Sequence, residues 1–195
     1  MAAGEVRPLG GIEKTQMPVL IGGSRSLQSR GQIPAVVAAL VASGQVVHVG
    51  CSTGADALVV LSFRPSWFPH LRAFCAFAPS GAGACSVSAV QVVQSFAWAG
   101  GQVSWLAGGP VSLPLRARLI RRSAAALAGC SAAVFFQPGA GSLAVASIAV
   151  KAGQPVFAFC AVPPAAVPGQ AGAWVPSLFM GFSCWAWQSA QASMF

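Results

Sequence analysis

The stretch Pro18-Val-Leu-Ile-Gly-Gly-Ser-Arg-Ser26 decides the fold class of this chain. Its apolar residues form a short run that suits a buried strand, and two glycines and a polar loop end that run. The next segment, Ile33–Ser43, has the composition of a helix and stops at Gly44. A strand, a glycine-rich loop and a helix in this order predict the first unit of an α/β domain.

The same unit recurs along the chain. A second predicted strand covers 46–50, and the loop Cys51-Ser-Thr-Gly-Ala-Asp56 follows it. The later predicted strands are Leu71–Phe77, Val103–Leu106, Ala132–Phe136 and Pro155–Phe159, and the later predicted helices are Val87–Ala99, Leu113–Ala128 and Leu143–Lys151. Strands that are apolar throughout must be covered on both faces. The sequence therefore predicts a Rossmann-like, doubly wound α/β fold with a mostly parallel sheet flanked by helices.

Three regions are expected along the 195 residues. Residues 1–17 are interpreted as an N-terminal leader and residues 18–160 as the Rossmann-like domain. Residues 161–195 are rich in proline and tryptophan and have no helical or strand period, so we predict an irregular C-terminal tail. Charges among the first 20 residues argue against a secretory signal, and prolines interrupt the later apolar stretches. We therefore expect a cytoplasmic protein without membrane spans.

The charge of the chain is strongly one-sided. Lysine and arginine number 11 against three acidic residues, and the formal net charge is +8. From Thr15 onward, Asp56 is the sole carboxylate side chain. A positive field attracts polyanions, so the expected partner is a nucleic acid or a nucleotide. The alternative is a generally basic protein with no dedicated polyanion.

The composition indicates neither a metal centre nor a catalytic set. The six cysteines are widely spaced without a Cys-x-x-Cys pair, so we expect reduced thiols rather than zinc ligands or disulfides. Hydrolysis or group transfer needs paired carboxylates, a nucleophile with a histidine base, or a metal. His48 lies inside an apolar strand and is interpreted as a core histidine. We expect no cofactor, and the prediction leans towards a protein that is not an enzyme.

Three glycine-rich loops follow predicted strands, at 22–26, 50–54 and 137–142. The carboxyl ends of parallel strands meet at one edge of the sheet, where backbone amides and helix starts bind anions. We therefore predict a phosphate or nucleic-acid site at this edge. Its candidate residues are Gly23, Ser24, Arg25, Ser52, Thr53, Gly54, Arg116, Gly141 and Ser142.

One predicted helix carries four arginines within Leu113-Pro-Leu-Arg-Ala-Arg-Leu-Ile-Arg-Arg122. Arg116 lies near the helix start and is predicted to face the ligand. Arg118, Arg121 and Arg122 fall within about a third of the helix circumference. They form either a basic path for a second stretch of phosphates or the solvated face of a surface helix. Asp56 either contacts a ribose or a base, or complements a helix dipole.

Four of these segments together resemble the DNA-processing protein A (DprA) family, within the Rossmann-like superfamily shared with the lysine-decarboxylase-like "Lonely guy" proteins. The Gly-Ser-Arg loop at residues 23–25 and the loop 50–56 resemble the family's first two loops. Residues 113–120 resemble its Phe-Pro-x-Arg-Asn-Arg-x-Ile segment, with Ala117 at the asparagine, and Gly141-Ser-Leu-Ala-Val-Ala146 resembles its Gly-Ser-x-x-Thr-Ala helix start. The resemblance implies single-stranded DNA binding and a role in DNA processing or recombination. It also implies dimerisation, which agrees with a composition of 55% hydrophobic and 7% charged residues.

Two other functions stay open. The first is a nucleotide-binding or nucleotide-hydrolysing domain of the "Lonely guy" type, although that family's glutamate after the Pro-Gly-Gly-x-Gly-Thr loop is replaced here by apolar residues. The second is an interaction protein with a degenerate pocket. Gln191-Ala-Ser-Met-Phe195 resembles the peptide by which bacterial DNA proteins dock on the sliding clamp, with Gln191, Met194 and Phe195 as its anchors. The alternative is a tail folded onto its own domain through Trp185 and Trp187.

Overall fold

A parallel sheet forms the centre of the structure. The computed structural model of the chain describes residues 17–190. The parallel strands in this part are β1 (Val19–Gly23), β2 (Val47–Val49), β3 (Leu71–Phe74), β4 (Gln102–Ser104), β5 (Ala132–Phe136) and β6 (Val156–Phe159). They lie side by side in the order β4-β3-β2-β1-β5-β6. The chain thus adds strands on one side of β1 and then crosses to its other side.

Helices cover both faces of this sheet. They are α1 (Ile33–Ala42), α2 (Ala55–Val60), α3 (Val87–Trp98), α4 (Leu115–Leu127) and α5 (Ala140–Lys151), with a 3-10 turn at Pro65–His70. Successive strand residues point to opposite faces. Ile21 therefore packs in the cluster with α1, α2 and α3, and Leu20 packs in the cluster with α4 and α5. The predicted Rossmann-like, doubly wound α/β class is confirmed. Among the helices of residues 17–190, none has the length and apolar character needed to cross a membrane.

The predicted irregular tail is wrong for residues 172–189. Two strands, β7 (Gly172–Phe179) and β8 (Phe182–Ser189), form an antiparallel hairpin there. β8 pairs antiparallel with β6, so the sheet continues past residue 160 in the order β6-β8-β7. Met180 and Gly181, with φ of 53° and 84°, form a two-residue turn whose positive φ values match the twist of a hairpin.

The outer strand of this hairpin, β7, contains a proline near its middle. Pro176 lies opposite Trp185. Hydrogen-bonded and non-hydrogen-bonded pairs alternate along an antiparallel ladder, and the pair Phe179–Phe182 beside a two-residue turn is hydrogen-bonded. Counting from that turn, the pair of Pro176 is non-hydrogen-bonded. Its nitrogen therefore faces away from β8, towards the open edge of the sheet.

His48 is a buried core histidine in β2. Its side chain is 8% exposed, and its Nδ1 lies 2.7 Å from the carbonyl oxygen of Ala126 in α4. That carbonyl can only accept, so Nδ1 carries the proton of the neutral ring. Burial lowers the pKa of His48 below its usual 6.5, although the Ala126 carbonyl opposes this shift.

The lowered pKa of His48 predicts a loss of stability in acid. Below pH 6.5 the unfolded chain binds a proton at His48, whereas the folded chain stays neutral until its lower pKa is reached. The stability present above pH 6.5 is therefore lost as the pH falls through the folded pKa. The free energy of unfolding, measured with urea at several pH values across this window, should fall as the pH falls, and His48→Gln should remove this slope. An unchanged slope in the variant would assign the effect to another group.

Candidate functional site

The strand order creates a crevice between β1 and β5. The chain leaves the carboxyl end of β1 towards α1 on one face and the carboxyl end of β5 towards α5 on the other face. In open α/β sheets, ligands bind beyond the carboxyl ends of the strands at such a switch point. The fold therefore places the candidate site between the loops that follow β1 and β5.

Three glycine-rich loops lie together at this edge. The Ser24 amide donates a hydrogen bond to the Phe136 carbonyl oxygen at 3.0 Å, and the Ala55 amide donates to the Ser24 carbonyl oxygen at 2.9 Å. The Ser142 hydroxyl donates to the Gly23 carbonyl oxygen at 2.9 Å. The loops after β2 and β5 thus both bond to the loop after β1, which occupies the centre of the site.

Two glycines allow these loops to approach one another. A Cβ atom at Gly23 would overlap the Phe136 carbonyl oxygen, and a Cβ at Gly54 would overlap the backbone of Ser24 and Arg25. Gly54 also has φ 69° and ψ −125°, a combination that is essentially restricted to glycine. Gly23 and Gly54 therefore serve loop packing rather than the close approach of a ligand.

The start of α5 is open to solvent at this edge. Gly139 at the helix start makes no side-chain cap, and the adjacent Ala140 and Gly141 are exposed. A Cβ added at Gly141 would meet no atom within 4 Å. The amides of a first helical turn lack intrahelical acceptors and carry the positive end of the helix dipole. The Ser142 hydroxyl, in contrast, already donates to Gly23 and ties this helix to the β1 loop.

Arg25 extends the positive edge from the β1 loop. Its side chain is exposed, and its carbonyl oxygen accepts a hydrogen bond from the Thr53 hydroxyl at 3.3 Å. The hydroxyls of Ser24 and Ser26 lie 2.8 Å apart beside it. The backbone at Arg25 is thus held while its guanidinium faces solvent, where it can fork onto phosphate oxygens.

A cavity of about 320 Å³ lies beside the β1 loop and is lined in part by residues outside the three predicted glycine-rich loops. Arg30 and Ser29 line one side, and Gln137 lines another. Gln137 has a φ of 46°, which is uncommon for a residue with a side chain and often marks a functional turn. Loop 137–142, which contains Gln137, was expected at this edge, but no motif marks Ser29 and Arg30, which lie beyond the glycine-rich part of the β1 loop.

The predicted ligand role of Asp56 and the predicted basic path through Arg122 are wrong. Asp56 is 7% and Arg122 8% exposed, and their Oδ2 and Nη1 atoms lie 3.5 Å apart. Asp56 Oδ2 also accepts the Ser52 amide at 3.0 Å, and Arg122 Nη2 donates to the Ser52 hydroxyl at 3.2 Å. Burial raises the pKa of the Asp56 carboxyl, against the opposing effects of Arg122 and Ser52. These three side chains support the β2 loop, and Ser52 is itself buried, so its hydroxyl is not exposed to a phosphate.

Arg118 is also excluded from the basic path. It is 5% exposed and donates to the carbonyl oxygens of Leu113 at 3.0 Å, Gly83 at 2.8 Å and Ala76. Its guanidinium therefore fastens the loops after β3 and β4 to α4. Arg118 therefore belongs neither to a basic path for phosphates nor to a solvated helix face. Arg116 and Arg121, in contrast, are exposed.

The exposed charges of residues 17–190 are all positive. The exposed cationic side chains are Arg25, Arg30, Arg64, Arg72, Arg116, Arg121 and Lys151. Asp56 is the sole carboxylate side chain within this range, and it is buried against Arg122. The charged side chains of the described surface therefore all favour anions.

The aromatic tail packs onto the domain. The Trp185 indole donates to the Cys160 carbonyl oxygen at 3.1 Å, and buried Trp187 contacts Trp174 with ring centroids 5.4 Å apart. All three tryptophans belong to the hairpin described above. The clamp-like residues Gln191, Met194 and Phe195 lie outside the described residues.

Comparison with known proteins yields two similar solved structures, both DNA processing proteins. No protein-family model and no curated protein sequence matches the chain. DNA processing protein A from Helicobacter pylori, whose structure addresses its single-stranded DNA binding mode, is 18% identical with a TM-score of 0.60 over 74% of this chain and 65% of that chain. DNA processing protein A (DprA) from Streptococcus pneumoniae is 18% identical with a TM-score of 0.59 over 79% of this chain and 52% of that chain. The similarity thus spans less than two thirds of either protein, and it shows that this chain has the DprA-like, Rossmann-like fold.

Proposed function

We propose that this chain binds single-stranded DNA by its phosphates at the crevice between β1 and β5, without catalysing a reaction. The observation that carries the proposal is the uncapped, exposed start of α5, which is joined to the β1 loop that carries Arg25. The exposed charges of the described surface are all positive. The H. pylori protein of the same fold binds single-stranded DNA, which supports the choice of polymer.

The binding would use backbone amides first and guanidinium groups second. A phosphate at the start of α5 would accept hydrogen bonds from the free amides of the first turn, and Arg25 would add a bidentate contact. Arg30 follows in the same connection, and Arg116 lies at the start of α4. Both connections begin at the carboxyl edge, so these arginines are suited to hold neighbouring phosphates of a strand. Self-association and docking on a sliding clamp stay predictions from the sequence.

A salt titration with a fluorescent single-stranded oligonucleotide tests this proposal. Each phosphate neutralised on a single strand contributes about −0.7 to the slope of log K against log salt. Arg25→Ala and Arg116→Ala should each weaken binding and reduce the slope by about 0.7, the share of one phosphate contact. Duplex DNA and mononucleotides are titrated in parallel, because a mononucleotide that binds as tightly as the oligonucleotide would favour a small-molecule site.

Lys151→Ala is the matched control for these variants. It removes the same unit of exposed charge, but α5 begins at the carboxyl edge and ends with Lys151, so this charge lies at the opposite edge of the sheet. Its affinity and salt slope should equal those of the wild type. Equal losses in Lys151→Ala and Arg25→Ala would indicate attraction by net charge alone. Failure of the wild type to bind single strands at low salt would overturn the proposal.

A further inference from the structure

Two cysteines lie side by side at the carboxyl ends of β2 and β3. These parallel strands pair Val49 with Ala73, and two residues further on the same register places Cys51 opposite Cys75. Both are buried in one cluster, and the amide of Ala76, the residue after Cys75, donates to Cys51 Sγ at 3.4 Å. Opposed residues of adjacent strands have Cα atoms close enough for a disulfide.

The surroundings favour a thiolate on Cys51. The neighbouring Cys75 thiol and the positive charge of Arg122 both favour the thiolate, and the Ala76 amide donates to Cys51 Sγ at 3.4 Å. These contacts lower the pKa of Cys51 to about 7 despite its burial. The pKa of Cys75 is raised, by the neighbouring Cys51 and by burial. Arg122 Nε is buried without a hydrogen-bond partner among the described residues. Cys51 is thus the nucleophilic member of the pair and Cys75 the resolving member.

We propose that Cys51 and Cys75 form a reversible disulfide when a hydroperoxide reaches the folded protein, and that this bond alters the anion-binding edge. The Cys51 thiolate attacks one oxygen of hydrogen peroxide, the O–O bond breaks, and hydroxide leaves and takes up a proton. Cys75 then attacks the resulting sulfenic acid, and a second water is released. Two thiols and one peroxide thus give one disulfide and two waters, with the peroxide reduced and each sulfur oxidised by one electron. A dithiol reverses the bond by exchange.

The bond would be transmitted to the site through the β2 loop, and this half of the inference rests on the proposed function. Cys51 directly precedes Ser52, which bonds to both Asp56 and Arg122. Thr53, the next residue, bonds to the carbonyl of Arg25. A disulfide holds two sulfurs about 2.0 Å apart, closer than any non-bonded contact, so the backbone at Cys51 must shift and carry this loop with it.

Peptide mapping of the 195-residue chain tests bond formation. The exposed Cys85 is replaced by serine to prevent links between molecules, and the protein is treated with hydrogen peroxide and then with N-ethylmaleimide. The expected product is a peptide that joins Cys51 to Cys75 and separates on reduction. Cys160 and Cys184 serve as an internal control, because they also come from neighbouring strands but burial raises the pKa of both thiols. Recovery of Cys51 and Cys75 as free thiols, or equal linkage of Cys160 to Cys184, would overturn the proposal.

Oligonucleotide binding by the two redox forms tests the coupling. Oxidation should weaken binding by about tenfold, the loss of one charge-assisted hydrogen bond. In Cys75→Ala, oxidation by hydrogen peroxide should stop at a sulfenic acid on Cys51, which dimedone traps. A linked protein with unchanged affinity would overturn the coupling. If neither form bound DNA while the link formed, the proposed function would fail and the disulfide would stand.

Discussion

Asp56→Ala is expected to lower the free energy of unfolding by about 3–5 kcal/mol, because it leaves a buried guanidinium without its carboxylate. Asp56 and Arg122 are both less than one tenth exposed, so water cannot replace the lost partner. The Ser52 amide also loses its acceptor. Urea denaturation of the variant and the wild type measures the difference at the midpoint.

Two further variants separate the causes of this loss. Asp56→Asn keeps an acceptor for the Ser52 amide and removes the negative charge, so it should destabilise the fold by a smaller amount than alanine. Arg121→Ala removes an exposed arginine of the same helix and should change stability by less than about 0.5 kcal/mol. If Asp56→Ala were as stable as Arg121→Ala, the buried pair would not support the β2 loop.

Gly54→Ala is expected to cost about 3 kcal/mol, since it combines backbone strain with overlap. Its φ and ψ suit glycine alone, and an added Cβ would overlap the backbone of Ser24 and Arg25. The β1 and β2 loops would have to separate, which would also move Arg25. We therefore expect loss of oligonucleotide binding together with a lower urea midpoint.

Gly141→Ala is the matched control for Gly54→Ala. It makes the same chemical change at the same edge of the sheet, but its added Cβ meets no atom within 4 Å, and alanine is the better helix former. Its stability should equal or exceed that of the wild type. A similar loss in both variants would show that the closeness of the β1 and β2 loops is not what requires Gly54.

The alternation of apolar strands, glycine-rich loops and helices was sufficient to predict the parallel sheet and the edge at which the loops meet. The partners of the helical arginines were not predictable in this way. Arg122 pairs with a carboxylate 66 residues earlier, and Arg118 bonds to carbonyls as far as 42 residues away. Helical periodicity places both on one face of α4, but it contains no information about what covers that face.

The hairpin was missed for a related reason. Its pairing is local, yet Pro176 interrupts the first strand, and Met180 adopts a positive φ where turn prediction expects glycine or asparagine. The aromatic and β-branched residues of 172–189 do favour strands. The alternation of apolar and polar residues in this segment is weak, and it indicates a strand only once β6 is known to have an unpaired side on which β8 can pair.

The orientation of Pro176 determines what can join this sheet. A row of outward-facing amides on an outer strand is a template on which another chain can add as a further strand, and this is how many β-proteins aggregate. Pro176 lies in the middle of that row and has no N–H to donate. A strand arriving along β7 would lose a bond at its centre, so the longer of the two outer strands within residues 17–190 resists growth into fibrils although it carries no charged residue.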